Sequence, residues 1–135
     1  VPNASTIAVN DAAATPVSHT FNKVKVQGDT AYFMEQSNAS ALGHWPLVLT
    51  QRSPLAGQTE KVARTKISLS RPIVQTETIN GIGRPLLMYT LRSVLEHIVP
   101  TAASLQERKD QHTLFSNVQL NVSVKDMVEN QLCFT

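Results

Sequence analysis

A single cysteine in 135 residues leaves Cys133 without a partner in its own chain. That excludes an intrachain disulfide framework and a cysteine-built metal site. Cys133 reads as a small apolar residue buried near the C-terminal end. Histidine offers no substitute: His19, His44, His97 and His112 are scattered and form neither HExxH nor His-x-His spacing. Serines are plentiful, but none sits in a GxSxG elbow. The only glycine-rich stretch, Asn80-Gly81-Ile82-Gly83, lacks the GxGxxG spacing of a dinucleotide loop and joins strand to strand. With no paired acid, base or nucleophile, the sequence points away from an enzyme, and no cofactor or metal is expected. No apolar run approaches the roughly 20 residues of a membrane helix. Val1–Ala8 lacks the basic start and apolar run of a secretion signal, so the expectation is a non-exported chain whose initiator Met has been removed. Without such a signal, the triplets Asn3-Ala4-Ser5, Asn38-Ala39-Ser40 and Asn121-Val122-Ser123 read as chance matches to the glycosylation pattern. Aromatics are scarce at 5%, against 41% hydrophobic residues. Such a chain can form one globular domain, residues 1–135, but with a thin core that gains from burial against a partner.

What the sequence does have is unevenly placed charge. Between Arg52 and Arg92, seven basic residues (Arg52, Lys61, Arg64, Lys66, Arg71, Arg84 and Arg92) stand against only Glu60 and Glu77. The flanking sections are both slightly acidic, so the middle carries the field that attracts phosphates.

The pattern is β-like up to Pro100. Thr6–Val9 is a β-prone start. His19–Gln27 alternates, with Phe21, Lys23 and Lys25 on one face and Val24 and Val26 on the other, and Gly28-Asp29 closes a hairpin onto Thr30–Gln36. Ser37–Gly43 reads as a polar loop, Trp45–Arg52 as a strand and Ser53–Gln58 as a turn. Glu60–Arg71 alternates most clearly, with Ile67 and Leu69 on one parity and Arg64, Lys66, Ser68 and Ser70 on the other. Strand continues through Ile73–Ile79, Asn80–Pro85 reads as a loop, and Leu86–Val99 is a long strand that also fits helical spacing; the sheet-rich context favours strand. Beyond Pro100 the period changes. Ser104-Leu105-Gln106-Glu107 is a capping box for a helix running to about Val118, with Leu105, Leu114, Phe115 and Val118 on its buried side. Ser123 looks like the N-cap of a second helix. Strands followed by helices make an α+β fold with helices on one sheet face, leaving the other face polar and basic.

In that order, the elements resemble the coat proteins of small single-stranded RNA bacteriophages, the leviviruses. The landmarks are Thr30–Glu35 after the hairpin, Pro46–Arg52, the basic strand Lys61–Pro72, the loop Thr76–Pro85, the long strand Leu86–Pro100 and the capped helix from Ser104. The likeness rests on order over nearly the whole chain. It implies an N-terminal β-hairpin, a five-stranded antiparallel sheet and two C-terminal helices that pack on the partner subunit's sheet in an intertwined homodimer. It further implies assembly of dimers into an icosahedral shell, a component of the virion formed in the bacterial host cytoplasm. The inward sheet face would bind single-stranded genomic RNA and repress translation by holding one of its hairpins. The RNA-facing positions the likeness implies are Arg64, Lys66 and Ser68 by spacing back from Pro72, Arg92, Val94 and Glu96 by spacing back from Pro100, and Thr50 and Arg52 on the preceding strand. Arg92 stands where some relatives have a base-stacking Tyr, and Val94 where they have a polar residue. General phosphate contact is the implied mode, with the Arg92 guanidinium plane available for stacking. Thr76, Asn80, Gly81, Gly83 and Pro85 belong to the loop that switches conformation around the shell's axes. The competing readings are a cellular RNA-binding module without shell assembly and, from the Asn-x-Ser triplets and many strands, a pilus-type surface protein. The absent secretion signal and the late helices speak against the latter.

Overall fold

The computed structural model describes residues 4–54 and 61–134. Among these residues six strands form one antiparallel sheet in chain order: β1 (Thr6–Asn10), β2 (Ser18–Gln27), β3 (Thr30–Glu35), β4 (Trp45–Arg52), β5 (Val62–Ile79) and β6 (Ile82–Pro100). Two helices follow, α1 (Leu105–Leu120) and α2 (Val122–Glu129). The chain divides into a sheet unit ending at Ile98 and a helical unit beginning at Val99. The expected N-terminal hairpin is the β1–β2 pair, and it joins the other strands in a six-stranded sheet because β2 pairs with both β1 and β3. Asn3 and Leu55–Glu60, which include most of the expected Ser53–Gln58 turn, lie outside the described residues.

Turn chemistry sets the register. Gln27 pairs with Thr30 across Gly28-Asp29, and Gly28 has φ 58°. A positive φ at the first central residue is the primed hairpin turn that glycine permits. Between β5 and β6, Asn80 (φ 52°) and Gly81 (φ 79°) are both left-handed, the signature of a two-residue type I′ turn. The expected loops Asn80–Pro85 and Thr76–Pro85 are therefore corrected: Thr76 to Ile79 belong to β5. Only Asn80 and Gly81 turn, while Ile82, Gly83, Arg84 and Pro85 already belong to β6. Pro85 is compatible with strand there because β6 lies at the sheet edge. The long strand expected from Leu86 is present.

The register sorts side chains onto two faces. Phe33 opposes Leu47, which opposes Leu69; Ala31 opposes Leu49, which opposes Ile67. These residues make the apolar face, and the core lies there: Phe21 (2% exposed), Phe33 (5%) and Leu47 (9%), packed by Ile7, Ala31, Trp45, Leu49 and Leu69. Three buried apolar side chains among the described residues are few for a chain of this length. The exposed apolar residues include Ile67, Leu91, Leu105, Leu114, Phe115, Val118 and Met127.

At the β1–β2 end, a polar cluster ties the hairpin to the apolar face. The Asp11 carboxylate accepts the Val17 amide at 3.0 Å and the Ala13 amide at 3.1 Å, and meets His19 Nε2 at 3.0 Å. These contacts, that of Val17 first, hold the Asp11 carboxyl down at about 2. The His19 ring lies 4.7 Å from the Trp45 ring, and the Arg71 guanidinium covers Trp45 at 5.0 Å. Glu35, 4% exposed, accepts the Ser37 amide at 2.6 Å and lies 4.0 Å from His19 Nδ1.

In the helical unit the capping box is as expected: the Glu107 amide donates to Ser104 Oγ at 3.2 Å, and the Ser104 amide to Glu107 Oε2 at 2.8 Å. Three expectations are corrected. The cap of α2 is Asn121, whose side chain accepts from the Ser123 amide at 3.0 Å, so Ser123 falls inside the helix. Leu105, Leu114, Phe115 and Val118 are exposed, since neither helix buries any residue within the single chain. Cys133 is exposed as well.

Candidate nucleic-acid interface

The face opposite the core is built by the other parity of the same strands. Arg52 opposes Arg64, Thr50 opposes Lys66 and Val48 opposes Ser68. Directly opposed residues in an antiparallel pair project to the same side. Five sequence-predicted positions, Thr50, Arg52, Arg64, Lys66 and Ser68, therefore share one face. Alternation along β5 is what separates them from Ile67 and Leu69. β6 joins through Glu96, whose Oε1 lies 3.5 Å from Arg64 Nη1. Arg92 and Val94 precede Glu96 at two-residue steps on the same strand and are exposed, as Glu96 is. Both groups of the Arg64–Glu96 pair are close to half exposed, so it orients the guanidinium while contributing little to stability.

Three residues on this face were not singled out from the sequence. Thr30 opposes Thr50, and their hydroxyls lie 3.3 Å apart. Tyr32 opposes Val48 on one side and Lys25 on the other, with the Lys25 ammonium 4.8 Å from the centre of the Tyr32 ring. Lys25 was expected beside Phe21 and Lys23. Instead the β2–β3 register shifts between Lys23 and Lys25: Lys23 opposes Phe33 of the core face, whereas Lys25 opposes Tyr32. This is a β-bulge, in which an extra residue on one strand reverses the facing of everything beyond it. A two-residue period carries no sign of such an insertion. Tyr32 and Thr30 were detectable in principle, as the polar parity of a strand next to Thr50.

The expected switch residues form the β5–β6 hairpin end. Asn80 and Gly81 make its turn, and a Cβ added to Gly83 would come within 3.1 Å of Thr76 Cγ2 across the ladder. Arg84 Nη2 pairs with Glu77 Oε2 at 3.5 Å beside Pro85. Among the described residues no group of three or more His, Cys, Asp or Glu could hold a metal ion, and no helix is long and apolar enough to cross a membrane. The site is a broad, positively charged sheet surface edged with hydroxyls, a chemistry suited to contacting phosphates.

Solved structures share this architecture. The virus-like particle of bacteriophage ESE058 matches at TM-score 0.90 with 27% identity, covering 99% of this chain and 100% of that one. The virus-like particle of Beihai levi-like virus 21 matches at TM-score 0.84 with 21% identity over 99% of both chains. The capsid protein of bacteriophage GA matches at TM-score 0.76 with 15% identity, over 96% of this chain and 95% of that one. No curated protein matches the sequence significantly. The family model described as levivirus coat protein matches residues 2–132. With that match over nearly its whole length, and with the sheet, hairpin turns and capped helix in the expected order, the chain belongs to the levivirus coat proteins, a family of structural and not catalytic proteins.

Proposed function

We propose that this coat protein forms homodimers that close into an icosahedral shell, and that its basic sheet face binds single-stranded genomic RNA inside that shell. The observation that carries the reading is the sorting of the sheet. Arg52, Arg64 and Lys66 share one face with Thr50 and Ser68, while Leu47, Leu49, Ile67 and Leu69 share the other. One face is chemically suited to phosphate and the other to protein. The apolar residues that the helices leave exposed, Leu105, Leu114, Phe115 and Val118, supply a complementary surface. Helices of one subunit laid on the apolar face of a second would bury both sets and make up for the small core. Exposed apolar surface on this scale marks an association site. The likeness to the ESE058 particle favours a shell over a free dimer.

The whole chain acts as one coat-protein domain in this reading. Thr76, Asn80, Gly81, Gly83 and Pro85 form the hairpin end that changes conformation between positions around the shell. Assembly takes place in the cytoplasm of the bacterial host. By holding an RNA hairpin on the basic face, the protein also represses translation of that message.

Expression in bacteria followed by electron microscopy and nuclease treatment tests the proposal. Closed particles enclosing nuclease-protected RNA are expected. A stable monomer at micromolar concentration would refute assembly; a small oligomer that binds RNA would instead favour the cellular RNA-binding module.

A further inference from the structure

We infer that Tyr32, with Lys25 beside it, is a stacking platform for a nucleobase of single-stranded RNA at the β2–β3 side of the basic face. The inference rests on the RNA-facing reading of that face and adds to it a site for bases.

Tyr32 is the aromatic ring that the described residues of β2–β5 place on the basic face; Phe21, Phe33 and Trp45 all lie on the apolar face. Its ring is half-buried, and the Lys25 ammonium lies over one face of it, 4.8 Å from the ring centre. A rigid ring with a flexible cation over it suits a nucleotide, because the ammonium can swing from the ring to the phosphate and leave the flat apolar face to the base. The surroundings extend the fit. Val48 and Ser68 continue the same rung across the sheet, while Thr30, Thr50 and Lys66 form the next rung. By strand spacing, the Lys66 backbone is within about 12 Å of that of Tyr32. A strand running from Tyr32 to Lys66 thus meets a ring, the two threonine hydroxyls 3.3 Å apart, and a second cation. The hydroxyls can bond base edges or ribose 2′-OH groups. The bulge between Lys23 and Lys25 completes the site, since without it Lys25 would share the face of Phe21.

The test is binding of a short single-stranded RNA by the full-length coat protein, followed by fluorescence anisotropy over a range of salt. Tyr32→Leu should weaken binding roughly 5- to 150-fold, the range for losing one stacked base, with the salt slope unchanged. Tyr32→Phe should bind within about twofold of the parent, because stacking needs the ring and not the hydroxyl. Lys25→Gln should lower the salt slope by about 0.7, one phosphate's share for a single strand. A strand of equal length without bases should bind the parent and Tyr32→Leu equally, a comparison that also controls for any general damage to the variant. Undiminished binding by Tyr32→Leu would overturn the platform, and so would a deficit of the same size on the baseless strand. The Arg64→Ala/Lys66→Ala variant separates the two layers of the argument. If it binds poorly while Tyr32→Leu binds normally, the platform alone fails. If neither loses affinity, the RNA-facing reading fails with it.

Discussion

Replacing Arg64 and Lys66 together by Ala removes two of the cations that the register places on the basic face. Both residues are exposed, so the fold should tolerate the change. For single strands, each phosphate contact contributes about 0.7 to the slope of log affinity against log salt. Losing two contacts should flatten the slope by about 1.4, which makes the drop in affinity between roughly 50 and 200 mM salt about sevenfold smaller than for the parent. The two residues are not equivalent, because the Arg64 guanidinium shares its charge with Glu96 at 3.5 Å. Lys66→Ala should therefore cost more affinity than Arg64→Ala. By the same logic Glu96→Gln should act in the opposite direction. Removing one carboxylate about 7 Å from a phosphate in water relieves about 0.6 kcal/mol of repulsion, so affinity should rise two- to threefold. Anisotropy titrations of a labelled single-stranded RNA at four or five salt concentrations read both quantities. An unchanged slope in the double variant, or weaker binding by Glu96→Gln, would refute the assignment of this face to RNA.

Three further outcomes are expected. Ser104→Ala removes the acceptor of the Glu107 amide and should destabilise the protein by about 1 kcal/mol in urea denaturation; an unshifted midpoint would show that the capping box contributes nothing. Gly81→Val places a β-branched residue at φ 79° and should cost about 1–2 kcal/mol, seen as faster amide exchange at the β5–β6 hairpin end; unaltered exchange there would contradict the turn assignment. The Asp11 carboxyl, held at about 2 against an ordinary 3.8 by the Val17 amide, His19 and the Ala13 amide, stabilises the native state fully above about pH 4. That contribution fades as pH falls through 2, because the unfolded state takes up its proton first. Asp11→Asn should abolish this part of the acid sensitivity, and identical urea midpoints against pH for parent and variant would refute it.

Much of the architecture was legible because local chemistry and global fold agree. The alternation of Arg64, Lys66 and Ser68 against Ile67 and Leu69 identified both faces of β5, and the Ser104–Glu107 box located the start of α1. Leu86–Val99 fitted two periods, and its place beside β5 resolved the ambiguity in favour of strand. The failures have physical causes. Gly83 and Pro85 are turn formers in general, yet Asn80-Gly81 completes the reversal in two residues and leaves them to the strand. Asn121 and Ser123 are both capable caps, and only the backbone geometry decides between them. Apolar spacing on α1 identifies the helix's apolar side but not what covers it, and the single chain leaves that side exposed. The site was half visible. Positions on β4 and β5 followed from parity, but the contribution of β2 lay behind a bulge that parity cannot see.

That bulge separates length from composition. Phe21 in the core and Lys25 on the basic face both carry odd numbers, and an uninterrupted strand would show them to the same side. A chain lacking Val24 would alternate perfectly and still bury Phe21 and present Lys25. What it would lose is the local bend and extra twist that a bulge introduces. A one-residue difference in length within β2 therefore leaves the sorting of side chains between core face and basic face unchanged when a bulge compensates for it, and exchanges the two when none does. Between related chains, the charge that β2 adds to the basic face follows the spacing back from the Gly28-Asp29 turn, not the count forward from Phe21.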